Sequence, residues 1–138
     1  MLHCFEQVRD AGYGPLLILG SDSPALPPSH LAGWPGRLAE HPAVIGPAED
    51  GGYWAIGCRA PHPRMFAGVE WSSPLTLAQT EAALAACGLA PGRLSEHWDV
   101  DTPEDVDRLA AEEHLPPQTR QWLRDNYKPP TNSRNRRA

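Results

Sequence analysis

Cysteine is scarce in this sequence, and so are long apolar runs and positive charge. The three cysteines, Cys4, Cys58 and Cys87, are odd in number and scattered, so they form no disulfide framework. Neither they nor the six histidines (His3, His30, His41, His62, His97 and His114) stand at the spacing of a zinc site, and no histidine is assigned a role. Small thiols in a reducing cytoplasm are the expectation. No apolar run approaches the roughly 20 residues a membrane helix needs. The residues after Met1 do not read as a signal peptide, so the expected location is cytoplasmic.

Twelve Lys and Arg stand against seventeen Asp and Glu, a formal net charge of -5. Setting aside the four cations of the tail, Lys128, Arg134, Arg136 and Arg137, takes the body to -9. Such a body lacks the basic surface that phosphate backbones require, which argues against a nucleic-acid partner. It is compatible with a divalent cation held between carboxylates and phosphates. Gly-x-Ser-x-Gly elbows, Walker-type loops and internal repeats are all missing.

What the sequence has in quantity is punctuation: sixteen prolines and twelve glycines in 138 residues. These predict many short elements in one domain, residues 1–127, followed by a disordered basic tail, 128–138. Leu2, Phe5 and Val8 predict a helix over residues 2–11, ended by Gly12 and Gly14. The Leu16-Leu17-Ile18-Leu19 run predicts a strand buried on both faces, as in a parallel sheet. A helix is expected near Ser29, interrupted at Pro35 and Gly36. Short strands come next at Ala43–Ile45 and Tyr53–Ile56. Ser73 and Pro74 read as N-cap and first residue of a helix whose apolar face is Leu77, Ala78, Ala82, Leu84 and Ala85. An edge strand is expected near Arg93–Ser95. Thr102-Pro103-Glu104-Asp105 opens a further helix, with Val106, Leu109 and Ala110 inward. A last helix spans residues 117–127. The alternation predicts an α/β fold with a largely parallel sheet.

Four segments carry candidate chemistry. Asp22 lies just past the most apolar strand, where open α/β sheets bind ligands, and can hold Mg²⁺ or Mn²⁺. It can equally close an Asx turn before Pro24. Asp99 and Asp101, two apart, would face one side of an extended segment with Val100 on the other, and such a pair stays ionised most easily around a cation. Asp101 also suits a helix N-terminus without any ion. Glu49-Asp50-Gly51-Gly52-Tyr53 allows close backbone approach to a ligand, with Asp50 toward acceptor hydroxyls and Tyr53 stacking or hydrogen-bonding; it reads as readily as a hairpin turn. Trp71, beside Ser72 and Ser73, is a platform for a sugar or base, or an ordinary core residue.

Taken in order, Gly20-Ser21-Asp22-Ser23-Pro24, Gly46 to Trp54, Glu70-Trp71-Ser72-Ser73 and Trp98 to Asp105 resemble the bacterial GT-A-like glycosyltransferases of the selenodomain-associated transferase type. More distantly they are similar to phospholactate and molybdenum-cofactor guanylyltransferases. The resemblance covers roughly residues 2–110. It implies the C-terminal portion of a Rossmann-like GT-A nucleotide-diphospho-sugar transferase fold, with a mostly parallel sheet flanked by helices. It also implies Mg²⁺ or Mn²⁺ on Asp22, Asp99 and Asp101, catalysis by Asp50 and Asp101, and substrate binding by Ser21, Ser23, Gly51, Gly52, Tyr53, Trp71 and Ser72. The expected partners are a nucleotide-activated donor, transferring either sugar or nucleotidyl, and a small-molecule acceptor. Related chains open with a strand and a Gly-, Lys- and Arg-containing nucleotide loop, and this sequence is expected to lack that part. The alternative expectation is therefore a non-catalytic remnant, an oligomerisation or binding module that forms a homodimer.

Overall fold

The computed structural model describes residues 1–129. Its elements are α1 (Leu2–Asp10), β1 (Leu16–Leu19), α2 (Pro28–Ala32), α3 (Trp34–Glu40), β2 (Ala43–Pro47), β3 (Tyr53–Cys58), α4 (Thr76–Ala86), β4 (Pro91–Arg93), α5 (Pro103–Ala110) and α6 (Pro117–Asn126). Most of the expected tail, residues 130–138, lies outside the described residues. No helix among the described residues is long and apolar enough to cross a membrane.

The α/β character holds, but the sheet is not mostly parallel. Its order is β1-β3-β2-β4, with β1–β3 and β2–β3 antiparallel and only β2–β4 parallel. The reason lies in residues 48–52. This short loop joins β2 directly to β3, and a connection of that length permits only antiparallel pairing. A short apolar run and the alternation of elements carry no information on strand direction. β2 is buried along its whole length. Ala43 and Ile45 face one core with Phe5, Ile56, Met65 and Leu84, while Val44 faces the other with Leu38, Trp54 and Leu94. Each fully buried Ile or Leu contributes roughly 1.5–3 kcal/mol by leaving water. β1, expected to be buried on both faces, is instead an edge strand, half-buried and ending on an exposed Leu19.

Several boundaries also move. The helix after Asp22 breaks at Gly33, and Pro35 sits in the first turn of α3, where a missing N–H costs nothing. Ser73 and Pro74 form a turn ahead of α4, whose N-cap is Leu75. The buried face of α4 is Thr76, Thr80, Ala83 and Leu84, while Ala78, Ala82 and Ala85 are exposed. Alanine is a weak guide to a buried face because it favours any helical position. β4 begins earlier than expected, at Pro91, and ends at Arg93. α5 is capped as expected: the Thr102 hydroxyl accepts from Asp105 N, and the Asp105 side chain accepts from the Thr102 N–H. A third cluster of Trp98, Leu109, Leu115 and Leu123 packs α5 and α6 under the segment that carries Asp99 and Asp101.

Candidate functional site

Three chain segments meet at the rim of the sheet, and backbone hydrogen bonds fix their meeting. Gly20 N donates to Trp54 O at 2.8 Å, which ties the end of β1 to β3. Two residues on, the Asp22 carbonyl accepts from Val100 N at 2.8 Å. The segment after β4 runs alongside the β2–β3 loop: His97 N donates to Pro47 O at 3.1 Å, and Glu49 N donates to His97 O at 3.1 Å. The Asp22, Asp50 and Asp99-Val100-Asp101 segments are thereby brought to one place although 77 residues separate Asp22 from Asp99. Asp99-Val100-Asp101 is irregular rather than a strand, yet both carboxylates reach one cavity and Val100 packs into the third core.

The β2–β3 loop is shaped by glycine. Gly51 adopts φ +89°, and a Cβ there would run into the Pro74 carbonyl. The Gly51 carbonyl accepts from Leu77 N at 2.8 Å, which locks the loop to the start of α4. Asp50 Oδ1 accepts from Gly52 N at 2.7 Å and so orients the carboxylate. From outside, Arg108 of α5 grips Glu49 with two bonds of 2.7 and 3.0 Å and lies 4.3 Å over the Trp98 ring. That contact holds the Glu49 carboxyl below, and the Arg108 guanidinium above, their ordinary proton affinities.

Asp50, Asp99 and Asp101 each offer a carboxylate oxygen, and these oxygens all lie within 4.8 Å of one another. None of the three is paired with Lys or Arg among the described residues. Asp99 shows the consequence. Burial, then the charges of Asp50, Asp101 and Asp22, push its carboxyl up to about 6 against a modest opposing backbone bond. Asp105 differs: it is spent on the α5 cap, and its bonds to Thr102 and to Asp101 N hold its carboxyl below the usual range. The Thr-Pro-Glu-Asp segment thus divides its acids, one into the helix cap and Asp101 into the cavity.

The donor set suits a hard divalent cation, with all-oxygen ligands, net negative charge and no internal counter-ion. Three oxygens on one octahedral Mg²⁺ include at least two cis pairs roughly 3 Å apart, so the carboxylates would have to draw in by up to about 2 Å to close on the ion. Of the three residues expected to bind metal, Asp99 and Asp101 belong to this cluster. Asp22 lines the same cavity but sits outside the tight group, its carboxylate turned back over Gly20. Asp50, which the sequence suggested for acceptor hydroxyls, stands in its place. Only the loop geometry brings it there, and nothing in its spacing marks it as a ligand.

The cavity has a volume of about 630 Å³. Its floor is β1 and β3, through Ile18, Leu19, Ala55 and Ile56. Tyr53, Trp71, Ser72, Ser73 and Thr76 line it as well. Gly52, Tyr53, Trp71 and Ser72 were expected at a substrate site and line it; Ser73 and Thr76 were not singled out as binding residues. Gly51 shapes the loop from behind. Ser21 is exposed and Ser23 is not part of the lining; the Ser23 hydroxyl is buried without a partner among the described residues.

The fold has a solved counterpart. A crystal structure provisionally described as a nucleotide-diphospho-sugar transferase, from Desulfovibrio desulfuricans G20, superposes with a TM-score of 0.79 at 30% identity, over 91% of this chain and 57% of that one. The present chain therefore spans little more than half the length of that relative. A search of curated proteins finds no match. A bacterial family profile, "Uncharacterized protein conserved in bacteria (DUF2064)", matches residues 1–73, a stretch that includes Asp22, Asp50 and Trp71, and the chain belongs to this family.

Proposed function

We propose that this chain is the acceptor- and metal-binding part of a transferase of GT-A type that uses a nucleotide-activated donor. The observation that carries the reading is the convergence of Asp50, Asp99 and Asp101, unneutralised, on the rim of a cavity large enough for a small molecule. The likeness to the Desulfovibrio structure supports it. Asp50, Asp99 and Asp101 would hold Mg²⁺ or Mn²⁺, with Asp22 adding charge from the same wall. The cation would supply charge neutralisation for a phosphate-bearing donor. The protein's own contribution is positioning and a proton acceptor. An acceptor hydroxyl oxygen bonds to the transferred centre, the bond from that centre to its phosphate leaving group breaks, and the hydroxyl proton passes to Asp50 or Asp101. With a nucleotide sugar the leaving group is the nucleoside diphosphate; with a nucleoside triphosphate it is pyrophosphate.

Calorimetric titration of UDP, GDP and CDP with Mn²⁺ into wild type and Asp99→Asn tests the reading. Metal-dependent binding by wild type, lost in the variant, is expected; equal affinity for both defeats it. A second reading, a binding module without turnover, is favoured by the free edge of β1, which pairs only with β3 among the described residues. It predicts a dimer by light scattering and no turnover.

A further inference from the structure

We infer that the part of the cavity wall formed by Tyr53, Trp71, Ser72, Ser73 and Thr76 is an acceptor subsite for a neutral polyhydroxylated molecule, a pyranose ring stacked on Trp71; this rests on the transferase reading above. Trp71 is 48% exposed, and Phe66 leans on its ring at a centroid distance of 5.7 Å, which fixes the ring while leaving much of it open. Flat apolar ring surface beside hydroxyl groups suits the C–H face and hydroxyl edge of a sugar.

The turn that carries this wall is held in advance of any ligand. Ser72 adopts φ 56°, a left-handed conformation that is costly for a residue with a side chain. Thr76 maintains it: the Thr76 hydroxyl accepts from Ser73 N at 3.2 Å and reaches the carbonyls of Ser73 and Glu70 at 2.7 and 2.9 Å. Gln79 takes the Glu70 N–H at 2.7 Å. The Ser72 hydroxyl has no bond within the protein among the described residues, and Ser72 lines the cavity.

Charge decides the class of ligand. Among the described residues no Lys, Arg or His lines the cavity and Met1 is the one lining residue with a cationic group, its terminal ammonium, against the four carboxylates of Asp22, Asp50, Asp99 and Asp101. The start of α4 does not compensate. Leu75 N is bonded to the Ser73 hydroxyl, Thr76 N to the Ser73 carbonyl and Leu77 N to Gly51 O, so three of the N–H groups at this helix start are already engaged within the protein. With no cation on the aspartates, an anionic acceptor would be repelled. A neutral polyol meets an aromatic face, serine hydroxyls and carboxylates that accept its O–H groups.

Saturation-transfer NMR without metal, using methyl β-D-glucopyranoside and, separately, uridine and guanosine, tests the inference on wild type, Trp71→Ala and Trp71→Phe. Thermal unfolding of each variant verifies that it is folded, and Trp71→Phe preserves the packing on Phe66. We expect millimolar pyranoside binding, weakened about tenfold in Trp71→Ala and about threefold or less in Trp71→Phe, with no Trp71-dependent nucleoside binding. Absence of pyranoside binding to wild type, equal binding by Trp71→Ala, or nucleosides taking the Trp71-dependent place each overturns it. Metal-dependent nucleotide binding is read separately, so loss of the transferase reading and loss of this subsite give different results.

Discussion

Replacing Asp99 by Asn should make the metal-free protein more stable at neutral pH while removing its response to Mn²⁺. Asp99 carries a charge beside two others, with ligand oxygens within 4.8 Å. In a water-like dielectric each such pair costs on the order of 1 kcal/mol, and salt reduces it further; Asp50 and Asp101 are exposed, so the water-like value is appropriate. Relief of two repulsions, discounted for screening, should be worth about 1 kcal/mol, a rise of roughly 3–5 °C in Tm for a domain of this size. The pH dependence is set by the direction of the shift. The Asp99 carboxyl is pushed from 3.8 up to about 6, so between these values the folded state binds more protons than the unfolded one. Wild-type stability must therefore fall as pH rises through that window, and the variant should lack this slope. Near pH 4 the two proteins should nearly coincide, and at pH 7 the variant should melt higher. Mn²⁺ at about 100 times its Kd would then add up to roughly 2.7 kcal/mol to wild type alone. Scanning calorimetry at pH 4, 5.5 and 7, with and without Mn²⁺, reads all of this. A variant that melts lower than wild type at pH 7, with neither protein responding to Mn²⁺, would refute the reasoning.

Other substitutions test the supports of the site. Gly51→Ala imposes a side chain at φ +89° and against the Pro74 carbonyl, so it should cost at least about 2 kcal/mol in denaturant unfolding; an unchanged midpoint would contradict the loop's locking role. Thr102→Ala removes one half of the α5 capping box and should cost about 1 kcal/mol, measured as a lower melting temperature. Cys58 is fully buried and its thiol is pushed up to about 11 by that burial, so a thiol reagent should label exposed Cys4 in the native protein and Cys58 only after denaturation.

Local chemistry was legible along the chain. The capping box at Thr102, the glycine turn at Gly51 and the short strand at Ala43–Ile45 each arise from the properties of a few adjacent residues, and each stands in the fold near its expected position, whereas the burial expected on both faces of Leu16–Leu19 is found in β2 instead. Strand direction was not legible, because a run such as Ala43-Val44-Ile45 records that both faces are covered and says nothing of its neighbour's orientation. The five-residue connection to β3 decided that instead. The same holds at the site. The sequence alone determined that acids stand after β1, in the Asp-Gly-Gly loop and ahead of α5, because those positions are set by turns and caps within a few residues. Only the tertiary structure decided which carboxylates meet. The bridge of His97 to Ala48 and the bond from Val100 to Asp22 close long stretches of chain, draw Asp50 in beside Asp99 and Asp101, and leave Asp22 at the margin. Proximity between residues so far apart is a property of the closed loops, which no local spacing encodes.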